Sequence, residues 1–190
     1  KFKAVDFDIV KKYGLFVVLG VVVGTIFAAS IKTKSLVLFF SIMILFLGIY
    51  LLLIKEKEQN TIVKMKLYLK VILGFFVGFI SAPMGIAGAV MNVPILKYFG
   101  YSINKAIGSA AAIGFFISLF GAIGFLITGN YLNSNLPLSI GFINIPAFLI
   151  FIPITMFMAR IGANTVHSID KRKISKLFGV FLLAVSLKFF

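Results

Sequence analysis

SAPMGIAGAVMNVP, residues Ser81 to Pro94, lies inside the apolar run that decides the fold. Pro83 and Pro94 each remove a backbone donor, Gly85 and Gly88 favour non-helical backbone, and Asn92 is polar. A lipid-facing backbone has no water to repair such breaks, so broken helix is tolerated only where protein or a cavity surrounds it. The stretch therefore marks either a kinked spanning helix or a helix that stops and turns back.

The surrounding chain settles the solvent. It has 190 residues, of which 61% are hydrophobic and 13% charged, too apolar for a soluble domain of that size. Runs such as Ser35–Ile54 are as long as the roughly 20 residues needed to cross a bilayer. The formal charge of +14 would suggest nucleic acid in a soluble protein. Here the basic residues flank apolar runs, where they set topology and meet lipid headgroups, so no nucleic-acid partner is expected. Cysteine is absent, which excludes disulfides and thiolate metal sites. The chain opens with KFKAVD instead of Met, and it is expected to begin inside a longer protein.

Six apolar segments follow from the pattern. Segment A covers about Tyr13–Ser30 and carries Gly20, Gly24 and Ala28 at four-residue steps, a stripe that admits a close neighbour. Segment B runs to about Ile54, and Lys55–Lys66 is aqueous. Segment C, about Leu67–Phe99, holds the opening motif. Segment D, about Asn104–Gly129, places Ala106, Ala110, Gly114, Ser118 and Ala122 on one stripe and is expected at the bundle centre. A polar loop, Asn130–Asn135, precedes segment E, from Pro146 to Ser168, and segment F starts at Lys171.

Charge then chooses between the two forms of segment C. If it crosses the membrane, ten Lys and Arg fall on the side of Lys1–Lys12 and nine opposite. If it enters to mid-depth and returns, sixteen share one face and only Lys32, Lys34 and Lys188 lie opposite. The positive-inside rule favours the second, a re-entrant hairpin with its sixteen charges in the cytoplasm. The return arm Ala89–Phe99 would span roughly 17 Å at about 1.5 Å per residue, half a bilayer.

A weak internal repeat accompanies this topology. A shift of 138 residues places Gly24 on Gly162, Ser30-Ile31 on Ser168-Ile169, Phe40 on Phe178 and Leu45 on Leu183. Segments A and B thus correspond to E and F with opposite orientation. The expected fold is an all-α polytopic membrane protein, an inverted-repeat, transporter-like bundle with a re-entrant broken-helix hairpin. Residues 1–66 form the remnant of a first repeat, and residues 67–190 the second.

Four separated motifs carry a family resemblance. Gly74–Pro94 (GFFVGFISAPMGIAGAVMNVP), Lys105–Ser109 (KAIGS), Gly141–Pro146 (GFINIP) and Ala159–Ala163 (ARIGA) resemble the signatures of the TauE/SafE family. That resemblance implies a membrane permease for sulfite, sulfoacetate or related organosulfur anions. It also implies that a first re-entrant segment and its following helix normally precede the part present here. Ala87 and Ala89 stand where the family commonly has glycine, a difference that bears on the substrate.

The chemistry comes from the broken helix. The start of the return arm, near Gly85–Ala89, leaves backbone N–H groups unpaired and aimed at the bilayer centre, where they and the helix dipole attract an anion. Small residues at Gly85 and Gly88 let it approach, Pro83 is a helix breaker beside them, and Pro94 frees the carbonyl of Val90. Asn92 offers both donor and acceptor. Ser109, one turn beyond Lys105, is an oxyanion donor or a packing serine. Lys105 attracts anions to the inner mouth or serves topology, and Arg160 snorkels to headgroups or contacts substrate. His167 reads as an interfacial loop residue.

The expectation is a carrier exporting small anions by alternating access from a prokaryotic inner membrane. Its partners are a small anionic substrate and the bilayer. An anion channel or a non-transporting membrane subunit is the alternative. An enzyme is not expected, nor a cofactor or metal: there is one histidine, no cysteine, and no carboxylate in any predicted span. Export of an anion from a negative interior gains about 2.3 kcal/mol per charge per 100 mV, so voltage alone suffices to drive it.

Overall fold

A computed structural model describes residues 5–53, 65–86, 88–132, 137–168 and 171–189. Among these are seven helices: α1 (Phe7–Ser30), α2 (Thr33–Leu53), α3 (Leu67–Met84), α4 (Ala89–Tyr98), α5 (Ile103–Tyr131), α6 (Ile145–Ser168) and α7 (Lys171–Phe189). α1, α2, α3 and α5 are long and apolar enough to cross a membrane, and Ile145–Ala159 of α6 is apolar but shorter. The chain is an all-α multi-pass membrane protein, as its hydropathy requires. α1 begins one and a half turns before the expected Tyr13, because Asp6 caps it: the carboxylate accepts from the N–H groups of Asp8 and Ile9.

The chain divides into two compact units, residues 1–30 with 57–135, and 31–56 with 136–190. This spatial partition interleaves the chain and differs in kind from the division into repeats, which follows sequence order.

In the first unit, α1 and α3 run parallel in close contact. Gly74 lies against Tyr13 and Val17, Gly78 against Val17 and Val21, and Gly24 against Phe79 and Ala82. A Cβ on Gly24 would come within 2.6 Å of the Phe79 carbonyl, and one on Gly78 would collide with the Val17 carbonyl. Glycine on both helices is thus the condition for their backbones to touch. α5 runs the same way along another side of α1, with Ile113 beside Gly14, Gly121 beside Val21 and Gly124 beside Thr25. Ile9, Tyr13, Val17, Val21, Leu96, Ala106, Ile113 and Ile117 form the core between them.

α4 runs the other way. It starts with Gly88 near Ser81 and descends to Asn92 beside Tyr13, at the level of Gly74. The segment from Leu67 to Tyr98 is therefore a hairpin, as the charge count requires. The starts of α1, α3 and α5 and the end of α4 gather at one end of the unit, with Lys11, Lys12, Lys66, Lys70, Lys97 and Lys105. One dimension differs from expectation. α3 has 18 residues, about 27 Å of helix, and its glycine contacts carry it past the middle of α1. The chain then drops back, so that α4, the shorter arm, begins near the middle.

In the second unit, α2 and α7 pack through Gly48 and Gly179, with Ile44, Leu47 and Leu182 buried around them. The Ser186 hydroxyl donates to the Ser41 carbonyl at 3.0 Å. α6 keeps Phe148, Leu149, Phe151, Met156 and Phe157 exposed. Ahead of α6 stands a feature the helical pattern does not show, a two-stranded ladder of β1 (Ser139–Ile140) and β2 (Ile143–Asn144) turning at Gly141. Asn144 then caps α6, its Oδ1 accepting from the Ala147 N–H at 2.9 Å.

Candidate functional site

The hairpin tip is built by two glycines in the left-handed region. Gly85 (φ 62°) stops α3: its N–H donates to the Ala82 carbonyl and the Ile86 N–H to the Ser81 carbonyl. These two bonds form a Schellman motif, which only a residue at positive φ completes without strain. Gly88 (φ 66°) starts α4 and supplies no capping side chain. Its carbonyl accepts from Met91 and Asn92, while the first amides of α4 receive no side-chain cap.

Two side chains meet at this start. Asn92 is fully buried, and its Oδ1 accepts a 2.9 Å hydrogen bond from the Tyr13 hydroxyl of α1. That bond leaves its Nδ2 as a buried donor without a partner. Ser81, on the last turns of α3, is 2% exposed, and its Oγ also lacks a partner. Both groups flank Gly88: a Cβ there would stand 3.0 Å from Asn92 Nδ2 and 3.7 Å from Ser81 Oγ. Each buried group left unmatched costs about 1–3 kcal/mol, so a neighbouring pair of them calls for a reason.

A cleft of about 170 Å³ opens beside the pair. Ser81, Ala82, Gly85 and Ile86 form one wall, and Ile117, Ser118, Gly121, Ala122 and Phe125 of α5 the other. None of these side chains is charged. An anion that passed from the cleft beyond Ile117 to Gly88 would meet hydroxyl, amide and helix-terminal N–H donors in apolar surroundings, where such bonds are strong.

The structure sorts the residues expected from sequence. Gly85 lines the cleft, Gly88 and Asn92 lie together behind Ile117, which lines it, and Pro83 is the last residue but one of α3. The carbonyl that Pro83 leaves without its donor, that of Phe79, lies against Gly24 of α1. Pro94 sits in the middle of α4, half-buried. Ser109 and Lys105 lie apart from the cleft, on the first turns of α5. The buried Ser109 hydroxyl accepts from the Asp6 N–H at 2.9 Å and so ties α5 to the start of α1, while Lys105 is exposed. Arg160 belongs to α6 in the second unit, and its side chain lies outside the described residues, as do Ala87 and the side chains of Ala89 and His167. Tyr13, Ser81 and Ile117 were not singled out by sequence. Ser81 had a signal, a hydroxyl one turn ahead of a helix stop. Tyr13 and Ile117 act at Asn92 and Gly88 across long stretches of chain, which no local pattern reveals.

Burial pushes the Tyr101 phenol up from its ordinary pKa, and the Asp6 and Asp8 carboxylates add to the shift.

Comparison with known proteins agrees with this architecture. The chain is 27% identical over 175 residues to a "Probable membrane transporter protein" of Haemophilus influenzae, an alignment covering 92% of this chain and 66% of that protein. It thus spans just under two thirds of that relative's length. No solved structure matches it. A family profile described as "Sulfite exporter TauE/SafE" matches residues 1–189, which is nearly the whole sequence. The chain belongs to the TauE/SafE family.

Proposed function

We propose that the chain is part of an inner-membrane carrier for small anions such as sulfite or sulfoacetate, with the anion held at the start of α4. One observation carries this reading: Ser81 Oγ and Asn92 Nδ2 are buried unpartnered donors side by side at a helix N-terminus, level with the middle of α1. The positive potential of that terminus and the absence of a charged wall favour a small anion bound by neutral donors. Membership of a family described as sulfite exporters, and likeness to a probable membrane transporter, point the same way. With the sixteen basic residues in the cytoplasm, the hairpin enters from the side from which voltage assists export, and the cleft lies at its tip, beside the second half of α5. The inverted repeats, 1–66 and 67–190, belong to the same proposal and would supply the rocking elements of alternating access. Lys105 would gather anions at the inner mouth.

Counterflow of radiolabelled sulfite and sulfoacetate in proteoliposomes tests the carrier. Saturable counterflow that Asn92→Leu abolishes, with normal insertion, supports it. Linear, non-saturating flux would mean a channel, and counterflow untouched by Asn92→Leu would remove the site.

A further inference from the structure

The two unpartnered donors lie on either side of Gly88, and a methyl group crowds the same place. A Cβ on Gly88 would run into Cδ1 of Ile117, the same point that Asn92 Nδ2 and Ser81 Oγ flank. Ile117 is 3% exposed, yet it also lines the cleft. Its side chain therefore stands between the cleft and the Asn92 amide. A methyl accepts no hydrogen bond, so this arrangement leaves both donors unmatched. An oxygen beside Gly88 would come within reach of both.

We infer that Ile117 is the gate of the site: its Cδ1 methyl holds the position that one oxygen of a small oxyanion takes when bound, between Ser81, Asn92 and the start of α4. The inference rests on the reading of this site as an anion site. The side chain suits the task. Branching at Cβ keeps χ1 of Ile117 fixed on α5, while Cδ1 alone moves with χ2 among three staggered positions. One torsion thus exposes the donors without moving a helix. Closure costs the site two hydrogen bonds, and ligand entry restores them, so binding itself stabilises the open rotamer. Tyr13 completes the device, because its bond to Oδ1 turns Nδ2 toward Gly88. The gate also sets selectivity: the ligand must offer acceptor oxygens at one end, since an apolar or cationic end gains nothing over the methyl it displaces.

Ile117→Val is the discriminating variant, because valine lacks Cδ1 and keeps the rest of the side chain. The apparent affinity of a site open only part of the time falls in proportion to its open fraction. Ligand-dependent thermal shifts of the purified full chain, titrated with sodium sulfite and separately with sodium sulfoacetate, give that affinity. Ile117→Val is expected to bind sulfite about threefold or more tightly than the parent chain. Ser81→Ala is expected to weaken it about tenfold in either background, the scale of one lost hydrogen bond to a charged group. Ile117→Met, which keeps a flexible apolar chain in the gap, is the second variant and should bind less tightly than Ile117→Val. If Ser81→Ala and Asn92→Leu weaken binding but Ile117→Val and Ile117→Met match the parent, the gate is wrong and the site stands. If no variant responds, or Ser81→Ala and Asn92→Leu bind as the parent does, the site falls and the gate with it.

Discussion

The hydroxyl of Tyr13 donates to Oδ1 of Asn92 at 2.9 Å, joining the first helix to the return arm of the hairpin across 79 residues of sequence. The pair is fully buried. It fixes both the height of α4 beside α1 and the direction in which the Asn92 amide presents its hydrogens. Tyr13→Phe should cost about 1–3 kcal/mol, the penalty for leaving the Asn92 carbonyl oxygen unmatched. Thermal unfolding in detergent would show the loss. Sulfite binding should weaken with it, because the amide is then free to turn.

The glycines separate into two kinds. Gly85 has no atom within 4 Å of where a Cβ would lie, so Gly85→Ala meets only the strain of φ 62°, about 1–2 kcal/mol. Gly78 meets the Val17 backbone, and Gly78→Ala should cost about 3 kcal/mol or more, since two helices must separate. Melting temperatures of the two variants, compared in one detergent, check the order. Equal losses would mean that α1 and α3 do not pack as described.

Ser186→Ala tests the second unit. Removing its bond to the Ser41 carbonyl should cost about 0.6 kcal/mol, and no more than about 1.7, as for other hydrogen bonds between helices in membranes. A larger loss by thermal unfolding would show that this bond does more than hold α2 to α7.

Sidedness follows from the hairpin. The chain has no cysteine, so single cysteines at Tyr101 and Tyr131 report without background. Tyr101 should label from the cytoplasmic side and Tyr131, 84% exposed at the other end of α5, from the opposite side. Reagents that do not cross the membrane distinguish the two, and labelling of both from one side would exclude the arrangement.

Alkaline pH should weaken the first unit at Tyr101. The fold favours the neutral phenol, chiefly through burial and then through Asp6 and Asp8. Its contribution is complete below the ordinary value of 10.0 and is lost as pH rises toward the raised one. Tyr101→Phe should flatten that alkaline decline in thermal stability.

Much of this was legible because the decisive signals are short-ranged or additive. Pro83, Gly85 and Gly88 announce a break within six residues, and the lysines summed along the chain favoured a hairpin over a crossing. The glycine stripe of segment A marked a close neighbour, although not that α3 would be the helix to fill it. The relations that make the cleft are of another sort. Tyr13 with Asn92, and Ile117 with Gly88, depend on the rotation of three helices about one another, and no periodicity encodes that. Ser109 shows the same limit from the other side: segment D offered it as an oxyanion donor or a packing serine, and no local pattern pointed to the Asp6 amide from which its oxygen accepts. The ladder at Ser139–Asn144 escaped because four residues are too few for alternation to register.

The parallel seam between α1 and α3 also bears on how the protein is made. α2 lies between them in sequence yet belongs to the other compact unit. At about 5–20 residues per second, the ribosome leaves α1 in the membrane for several seconds before α3 emerges. Throughout that interval Gly20 and Gly24 expose bare backbone that any other small-residue helix could occupy. Correct assembly of this chain is thus a race against the wrong neighbour, won or lost during synthesis.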